Sequence, residues 1–378
     1  MDIKDILPVL GYFLAVLAGL GAIYTVAAAE AVRRLVTGVL ATRIGAPPVT
    51  ILKPLHGAEP RLAENLRSFF AQDYGAPVQI VFGVQDAADP ARQVAQAVAN
   101  ENSGIRSDIV IDPAVHGENH KVSNLSNMMS KAAHDIIIVS DSDIQVQPDW
   151  LARIMAELMQ PDIGAVTCLY SGDAAAGVWS QLGAMGINTQ FLPNAALGLQ
   201  LGLAHPCSGA TIAIRRETLV AIGGFDAFAN ELADDYAMGE AVRRLGQSVK
   251  VAPMIVRHTN ADASAAEFFR HELRWARTIR SIDPLGYAGS IVTQPLPLAL
   301  LAAALLGGSP ASIGAVAAAL VARLFLKLRI DRLAGPVGPL WLLPLRDLLW
   351  FAVFIVSFAG RMVTWKSAQL EARRSPAS

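Results

Sequence analysis

The sequence predicts an α/β fold with a mostly parallel sheet, carried between apolar terminal segments, and three observations lead there. Short Val- and Ile-rich runs alternate with stretches of helical periodicity through the middle of the chain, the pattern of βαβ units whose sheet is buried on both faces. The chain is 53% hydrophobic over 378 residues, with a mean hydropathy of +0.39, too apolar for an ordinary soluble domain. That excess is concentrated at the two ends, which leaves about 250 residues of soluble composition between them.

Residues 7–29, "LPVLGYFLAVLAGLGAIYTVAAA", are uncharged. At ~1.5 Å per residue they span roughly the ~30 Å hydrocarbon core of a bilayer. The acidic flank (Asp2, Asp5) argues against a cleaved leader, and Arg33 and Arg34 place the C-terminal end of this segment in the cytoplasm. Strands are predicted at "VTILKP" (49–54), "VQIVFGVQD" (78–86), "DIVIDP" (108–113), "DIIIVSDSD" (135–143) and "GAVTCLY" (164–170), with helices over 62–71, 91–100, 122–133 and 150–159 between them. From residue 291 the chain is apolar again in three pieces, 291–306, 311–326 and 337–360. The basic run "RLFLKLRIDR" (323–332) puts the second connection inside. "PLRD" (344–347) interrupts the third piece. If that piece spans, the basic tail with Arg361, Lys366, Arg373 and Arg374 lies outside; if it is re-entrant or interfacial, the tail stays inside. The expected domains are therefore a membrane helix (1–32), a soluble α/β domain (33–290), membrane segments (291–366) and a basic tail (367–378).

In open sheets of this kind, ligands bind beyond the carboxyl ends of the strands. Asp86 closes one predicted strand, Asp141 and Asp143 close another, and Asp234 and Asp235 open a helix at "DDYAMGEAVRRLG". Taken singly, Asp86 also reads as a turn acid and Asp234 or Asp235 as a helix cap. The pair at 141 and 143 resists such a reading, because two carboxylates at i and i+2 after a buried strand repel unless a cation offsets them. Mg2+ or Mn2+ takes carboxylate oxygens together with substrate phosphates, which points to a diphosphate-bearing substrate. Cys168 and Cys207 have no metal-ligand spacing and read as core residues, in keeping with a reducing compartment. The histidines show no ligand spacing either; His258 reads as structural or as a further metal or diphosphate contact. With a formal net charge of −1, nothing suggests nucleic acid.

Five motifs in order, "QDAADP" (85–90), "HGENHKVSNLSNM" (116–128), "SDSDI" (140–144), "GGFDAFANELADDYAMGEAVRRLG" (223–246) and "HELRWARTIR" (271–280), resemble family-2 glycosyltransferases with a GT-A fold. Within that class the chain resembles the ceramide glucosyltransferase family, most of all its bacterial branch associated with hopanoid biosynthesis. The resemblance covers nearly the whole chain. It implies a GT-A (Rossmann-like) cytoplasmic domain on a multi-pass protein of the bacterial inner membrane, a UDP-sugar donor, a hopanoid or ceramide acceptor, and Mn2+ or Mg2+.

By the same resemblance Asp86 contacts the nucleotide, Lys121 and Asn124 belong to a nucleotide-binding segment, Asp141 and Asp143 hold the metal, and Asp235 is the base of an inverting displacement. Asp234 stands where the family has Glu. The closing signature, usually QxxRW or RxxRW, here has His271 before Arg274 and Trp275; Arg274 would steady the diphosphate, and Trp275 would stack on a sugar or pack. Arg270, Arg274 and Arg277 also fall on one helical face, the makeup of a helix at a lipid surface. The apolar segment 183–204, with Asn188, Gln190, Pro193 and Asn194, reads as an interfacial acceptor groove or as a buried core loop, and Cys207 and Gly209 are expected near the site. A catalytically silent membrane scaffold or transporter is the alternative from another class.

Overall fold

The computed structural model describes residues 3–39, 45–359, 362–365 and 368–371. Most of the basic tail, including Arg361, Lys366, Arg373 and Arg374, lies outside them. The chain divides into two compact units: a sheet unit from Leu35–Ala175 and Gly202–Ala261, and a helical unit from Met1–Arg34, Ala176–Leu201 and Asp262–Ser378. Residues 176–201 and 262–290, expected with the soluble domain, thus belong to the helical unit.

Elements are numbered along the chain. After α1 (Ile3–Val36) come β1 (Val49–Pro54), α2 (Leu62–Phe70), β2 (Val78–Val84), α3 (Pro90–Glu101), β3 (Arg106–Ile111), α4 (His120–Met128), β4 (Ile136–Val139), β5 (Ile144–Gln145), α5 (Trp150–Leu158) and β6 (Ile163–Ala174). The helical unit resumes with α6 (Gly177–Gly186), a π-helical turn (Ile187–Phe191) and α7 (Leu192–Gln200). The sheet unit is completed by β7 (Ile212–Arg215), α8 (Arg216–Ala221), α9 (Asp234–Arg244) and β8 (Ser248–Asn260). Finally come α10 (Ala265–Ile282), α11 (Pro284–Gly289), α12 (Pro295–Leu305), α13 (Pro310–Ala334), α14 (Leu342–Ser357), β9 (Met362–Trp365) and β10 (Ala368–Glu371).

The sheet unit is built on one eight-stranded sheet in the order β3-β2-β1-β4-β7-β6-β8-β5. The β1–β2, β1–β4, β2–β3 and β6–β8 pairings are parallel; β4–β7, β6–β7 and β5–β8 are antiparallel. Successive strand residues point to opposite faces, and the apolar runs fill both. Ile51, Ile80, Phe82, Ile136 and Ile138 join one core with α2, α3 and α5, whereas Leu52, Val81, Ile137 and Val139 join another with α4, α8 and α9. Trp150 anchors the first core, edge-on to Phe69 with ring centroids 5.3 Å apart. Burying a large apolar side chain stabilises by about 1.5–3 kcal/mol, so β4, buried at every position, is fixed at the sheet centre. The chain then leaves the carboxyl end of β4 and re-enters the sheet at its far edge as β5. Residues 140–143 make that crossing beyond the strand ends.

In the helical unit, two helices among the described residues are long and apolar enough to cross a membrane, Ile6–Val36 and Pro310–Ala334; a bent pair, Pro284–Thr293 with Pro295–Leu305, makes a third if it is one span. At 16 residues, α14 reaches only about 24 Å. Pro344 sits in its first turn, where a missing N–H costs nothing, so "PLRD" does not interrupt the helix. Instead, Arg346 and Asp347 are buried there: Arg346 pairs with Glu272 of α10 at 2.7 Å, and Asp347 pairs with Arg323 of α13.

Candidate active site

Four segments of the sheet unit bring acids and cations together. The crossing loop supplies Asp141 and Asp143, the first turn of α4 supplies Lys121, the start of α9 supplies Asp234 and Asp235, and the loop before β7 supplies Gly209. Lys121 Nζ stands 2.8 Å from Asp141 Oδ1 and 3.5 Å from Asp234 Oδ2. Burial opposes the Lys121 charge, but Asp141, Asp234 and Asp235 outweigh it and hold its pKa above the ordinary lysine value. Asp141 itself is pushed up, by burial first, with Lys121 opposing. Backbone pairing fixes the loop: the Asp141 amide donates to Gly209 O at 3.0 Å, and the Thr259 amide donates to Asp143 O at 2.8 Å.

Asp235 Oδ2 accepts from the Gly209 amide at 2.9 Å, and Oδ1 accepts from the Tyr236 amide at 2.8 Å. Burial and then the neighbouring Asp234 charge raise its pKa to about 6, which suits a base working near neutrality. Asp234 does not cap its own helix. Asn119 Nδ2 donates to it at 3.2 Å, and with Lys121 it ties α4 to α9.

Three further residues complete the surroundings. Lys53, fully buried at the end of β1, donates to Asp141 O at 2.5 Å and lies 3.8 Å above the Phe69 ring. Burial lowers its pKa to about 7, with Asp141 and Asp143 opposing. On β8, His258 Nε2 lies 3.1 Å from Asp143 Oδ2. Burial works against the Asp143 charge, yet His258 holds its pKa down at about 2. Gly209 lets the backbone approach the acids closely: a Cβ there would lie 2.6 Å from Asp141 Oδ2 and 2.7 Å from Lys121 Nζ.

The other expected residues are distributed differently. Asp86 stands exposed at the end of β2, accepting from the Ala88 amide at 2.8 Å, the geometry of an Asx turn that leaves the carboxylate open to solvent. Asn124 is buried, and its Nδ2 donates to Gly83 O at 2.8 Å, pinning α4 to β2. Cys207 is core, against Gly239. His271, Arg274 and Trp275 belong to α10 of the helical unit. There His271 Nδ1 lies 3.4 Å from Asp262 Oδ1, and its ring meets Trp275 edge-on at 4.7 Å.

Residues 13–377 match the family model described as Glycosyl transferase family 21. The chain belongs to this family. The family 21 chain is 24% identical over 232 residues to ceramide glucosyltransferase 1 of Caenorhabditis elegans, covering 61% of this chain and 49% of that protein. It is 23% identical over 241 residues to an N-acetylglucosaminyltransferase of Mesorhizobium japonicum, covering 61% and 56%. The chain thus spans about half the length of the curated relatives it matches. Among solved structures it resembles the mannosyltransferase PcManGT from Pyrobaculum calidifontis, in complex with GDP-Man and Mn2+, with a TM-score of 0.56 and 19% identity over 93% of this chain and 99% of that one. The likeness supports the GT-A fold that the motifs imply.

A divalent ion fits the residues present. Asp143 Oδ1 is buried with no hydrogen-bond partner, an acceptor that a cation would satisfy. No group of three or more His, Cys, Asp or Glu among the described residues is arranged to hold a metal. Asp141 and Asp143 would therefore supply two carboxylates, and diphosphate oxygens and water the remaining ligands.

Proposed function

We propose that the protein is a membrane-bound, inverting glycosyltransferase that moves a sugar from a UDP donor to the hydroxyl of a membrane lipid. The observation that carries this reading is the convergence of Asp141 and Asp235 on Lys121 and Gly209 beyond the carboxyl ends of a GT-A sheet, with Asp143 two residues along the same loop. Asp141 and Asp143 hold the divalent ion, Mn2+ or Mg2+, whose positive charge offsets that of the diphosphate. Lys121 steadies the same diphosphate, Asp86 meets the nucleotide, and Asn124 holds the segment that carries Lys121 against β2. Asp235 takes the proton from the acceptor hydroxyl as that oxygen attacks the anomeric carbon from the face opposite the leaving UDP. Lys53 and His258 position the crossing loop from below, through Asp141 O and Asp143. On α10, Trp275 packs against His271.

The finer assignment is N-acetylglucosamine passed to bacteriohopanetetrol at the cytoplasmic face of a bacterial inner membrane. The motif resemblance supports it, and the relative named an N-acetylglucosaminyltransferase supports the sugar. A second reading, UDP-glucose passed to ceramide, is favoured by the relatives named ceramide glucosyltransferases.

UDP release by the detergent-purified protein tests both, with UDP-N-acetylglucosamine or UDP-glucose and bacteriohopanetetrol or ceramide in turn. Release should require one lipid and a divalent ion, and should stop on chelation and resume on readdition of Mn2+ or Mg2+. Absence of UDP binding under every condition would turn the reading toward a silent scaffold. Gly209→Ala should lower turnover by about 100-fold, because a shift of about 1 Å among reacting groups has that effect. An unchanged rate would mean that Asp141 and Lys121 need not sit where they do.

A further inference from the structure

Two stretches of the sheet unit, 112 residues apart in sequence, run side by side: residues 117–119, ahead of α4, and residues 229–231, ahead of α9. The Asn119 amide donates to Ala229 O at 2.7 Å, and the Glu118 amide donates to Asn230 Oδ1 at 3.0 Å. Gly117 permits the approach, because a Cβ there would lie 2.5 Å from Ala229 O and 2.6 Å from Asn230 Oδ1. Asn119 is 1% exposed and engages both ends of its side chain across this seam. Its Oδ1 accepts from the Val122 amide at 3.2 Å and caps α4, while Nδ2 donates to Glu231 O at 2.9 Å and to Asp234 Oδ1 at 3.2 Å. An amide held at its oxygen and its nitrogen has one orientation.

The seam separates two parts of the candidate site. Lys121 lies two residues beyond Asn119 on one side, and Asp235 directly follows Asp234 on the other. Lys121 also meets Asp234, at 3.5 Å, but that contact joins two charges, and a diphosphate held by Lys121 would compete with the carboxylate for the same ammonium group. Asn119 donates through a neutral amide, so its bonds to Glu231 and Asp234 do not depend on where the Lys121 charge is directed. A diphosphate that steadies Lys121 also steadies the first turn of α4, which Asn119 caps, and through Nδ2 the start of α9.

We propose that Asn119 is a positioning residue that carries occupancy of the donor site across the seam to the segment bearing Asp235. The inference rests on the proposed UDP donor and base, and adds to them the residue that joins the two.

Hydrogen–deuterium exchange of the full chain in detergent, with and without UDP and Mg2+, reads this coupling without turnover. In the wild type, UDP should slow exchange at residues 231–236 by about 10-fold. Asn119→Ser keeps an oxygen that caps α4 but lacks the donor that reaches Glu231 and Asp234. UDP should therefore still slow exchange in α4 of this variant, while the slowing at residues 231–236 disappears. In sugar transfer the same variant should lose about 10-fold in kcat, with its KM for the UDP-sugar within about 2-fold of wild type, a split that a helix cap alone does not give. Absence of slowing at residues 231–236 in a wild type that binds UDP overturns the proposal, as does slowing retained in Asn119→Ser or an unchanged kcat. If Asn119→Ser does not fold, Gly117→Ala forces the seam apart with every side chain of Asn119 and Asp234 in place; it should lose the same slowing, and retention there overturns the proposal. Slowing across the seam without sugar transfer would keep the role of Asn119 and remove the transferase reading; transfer without such slowing would do the reverse.

Discussion

Asp235→Asn is expected to lower turnover by about 10²–10⁴-fold, the usual contribution of a general base, while UDP and the divalent ion still bind. The substitution keeps the shape of the side chain and one acceptor for the Gly209 amide at 2.9 Å, but removes the lone pair that would receive the proton. Turnover close to wild type would exclude Asp235 as the base. The pH dependence should agree. A base works only when ionised, so with its pKa raised to about 6 the rate is full well above that pH and falls tenfold per unit below it. An ordinary aspartate would place the acid limb near 4. Asp234→Asn removes the second cause of the shift, after burial, and should move the limb to lower pH. A wild-type limb near pH 4 would count against the assignment as firmly as an active Asp235→Asn.

The second large effect is on stability. Asp347→Ala should destabilise the protein by about 3–5 kcal/mol, because it strands the Arg323 guanidinium in the interior of the helical unit. Both side chains are nearly inaccessible, at 4% and 7% exposure, and two hydrogen bonds join them. Replacing both with leucine should recover most of the loss, since two apolar groups leave no charge unpaired. Thermal unfolding in detergent reads the difference. A single variant as stable as the wild type would show that Arg323 finds another partner or reaches water.

Much of this was legible in the sequence, for identifiable reasons. β4 is buried on both faces and reads as an unbroken Ile and Val run, and β1 and β2, buried at nearly every position, are rich in Val and Ile. A strand ending in Asp141 and Asp143 announces itself, because burial and paired charge conflict without a counterion. β7 and β8 were not singled out: β7 has four residues, and β8 carries Pro253 and two exposed cations, Lys250 and Arg257. Lys53 gave one signal, a charge inside an apolar strand, whose meaning depends on Asp141 lying 88 residues away. His258 was considered, yet its pairing with Asp143 follows from the antiparallel β5–β8 register, which pairs Ile144 with His258. "PLRD" looked like a break because its partners, Glu272 and Arg323, lie on other helices. Asn124, expected in a nucleotide-binding segment, also anchors α4 to β2 through Gly83 O, a contact that only the fold reveals.

The interleaving of the two units bears on how the protein is made. Every segment of the sheet unit has emerged from the ribosome by Ala261, whereas the helical unit needs its last helices from beyond residue 300 before α6 and the π-helical turn after it have all their neighbours. The sheet unit can therefore close early, while the apolar stretch Ala176–Leu201 waits for partners not yet synthesised. A fragment ending near Ala261 would leave that stretch permanently without them and would be prone to aggregate. A soluble fragment would need the loop from Ala176 to Leu201 cut out and its ends rejoined, as well as both termini trimmed.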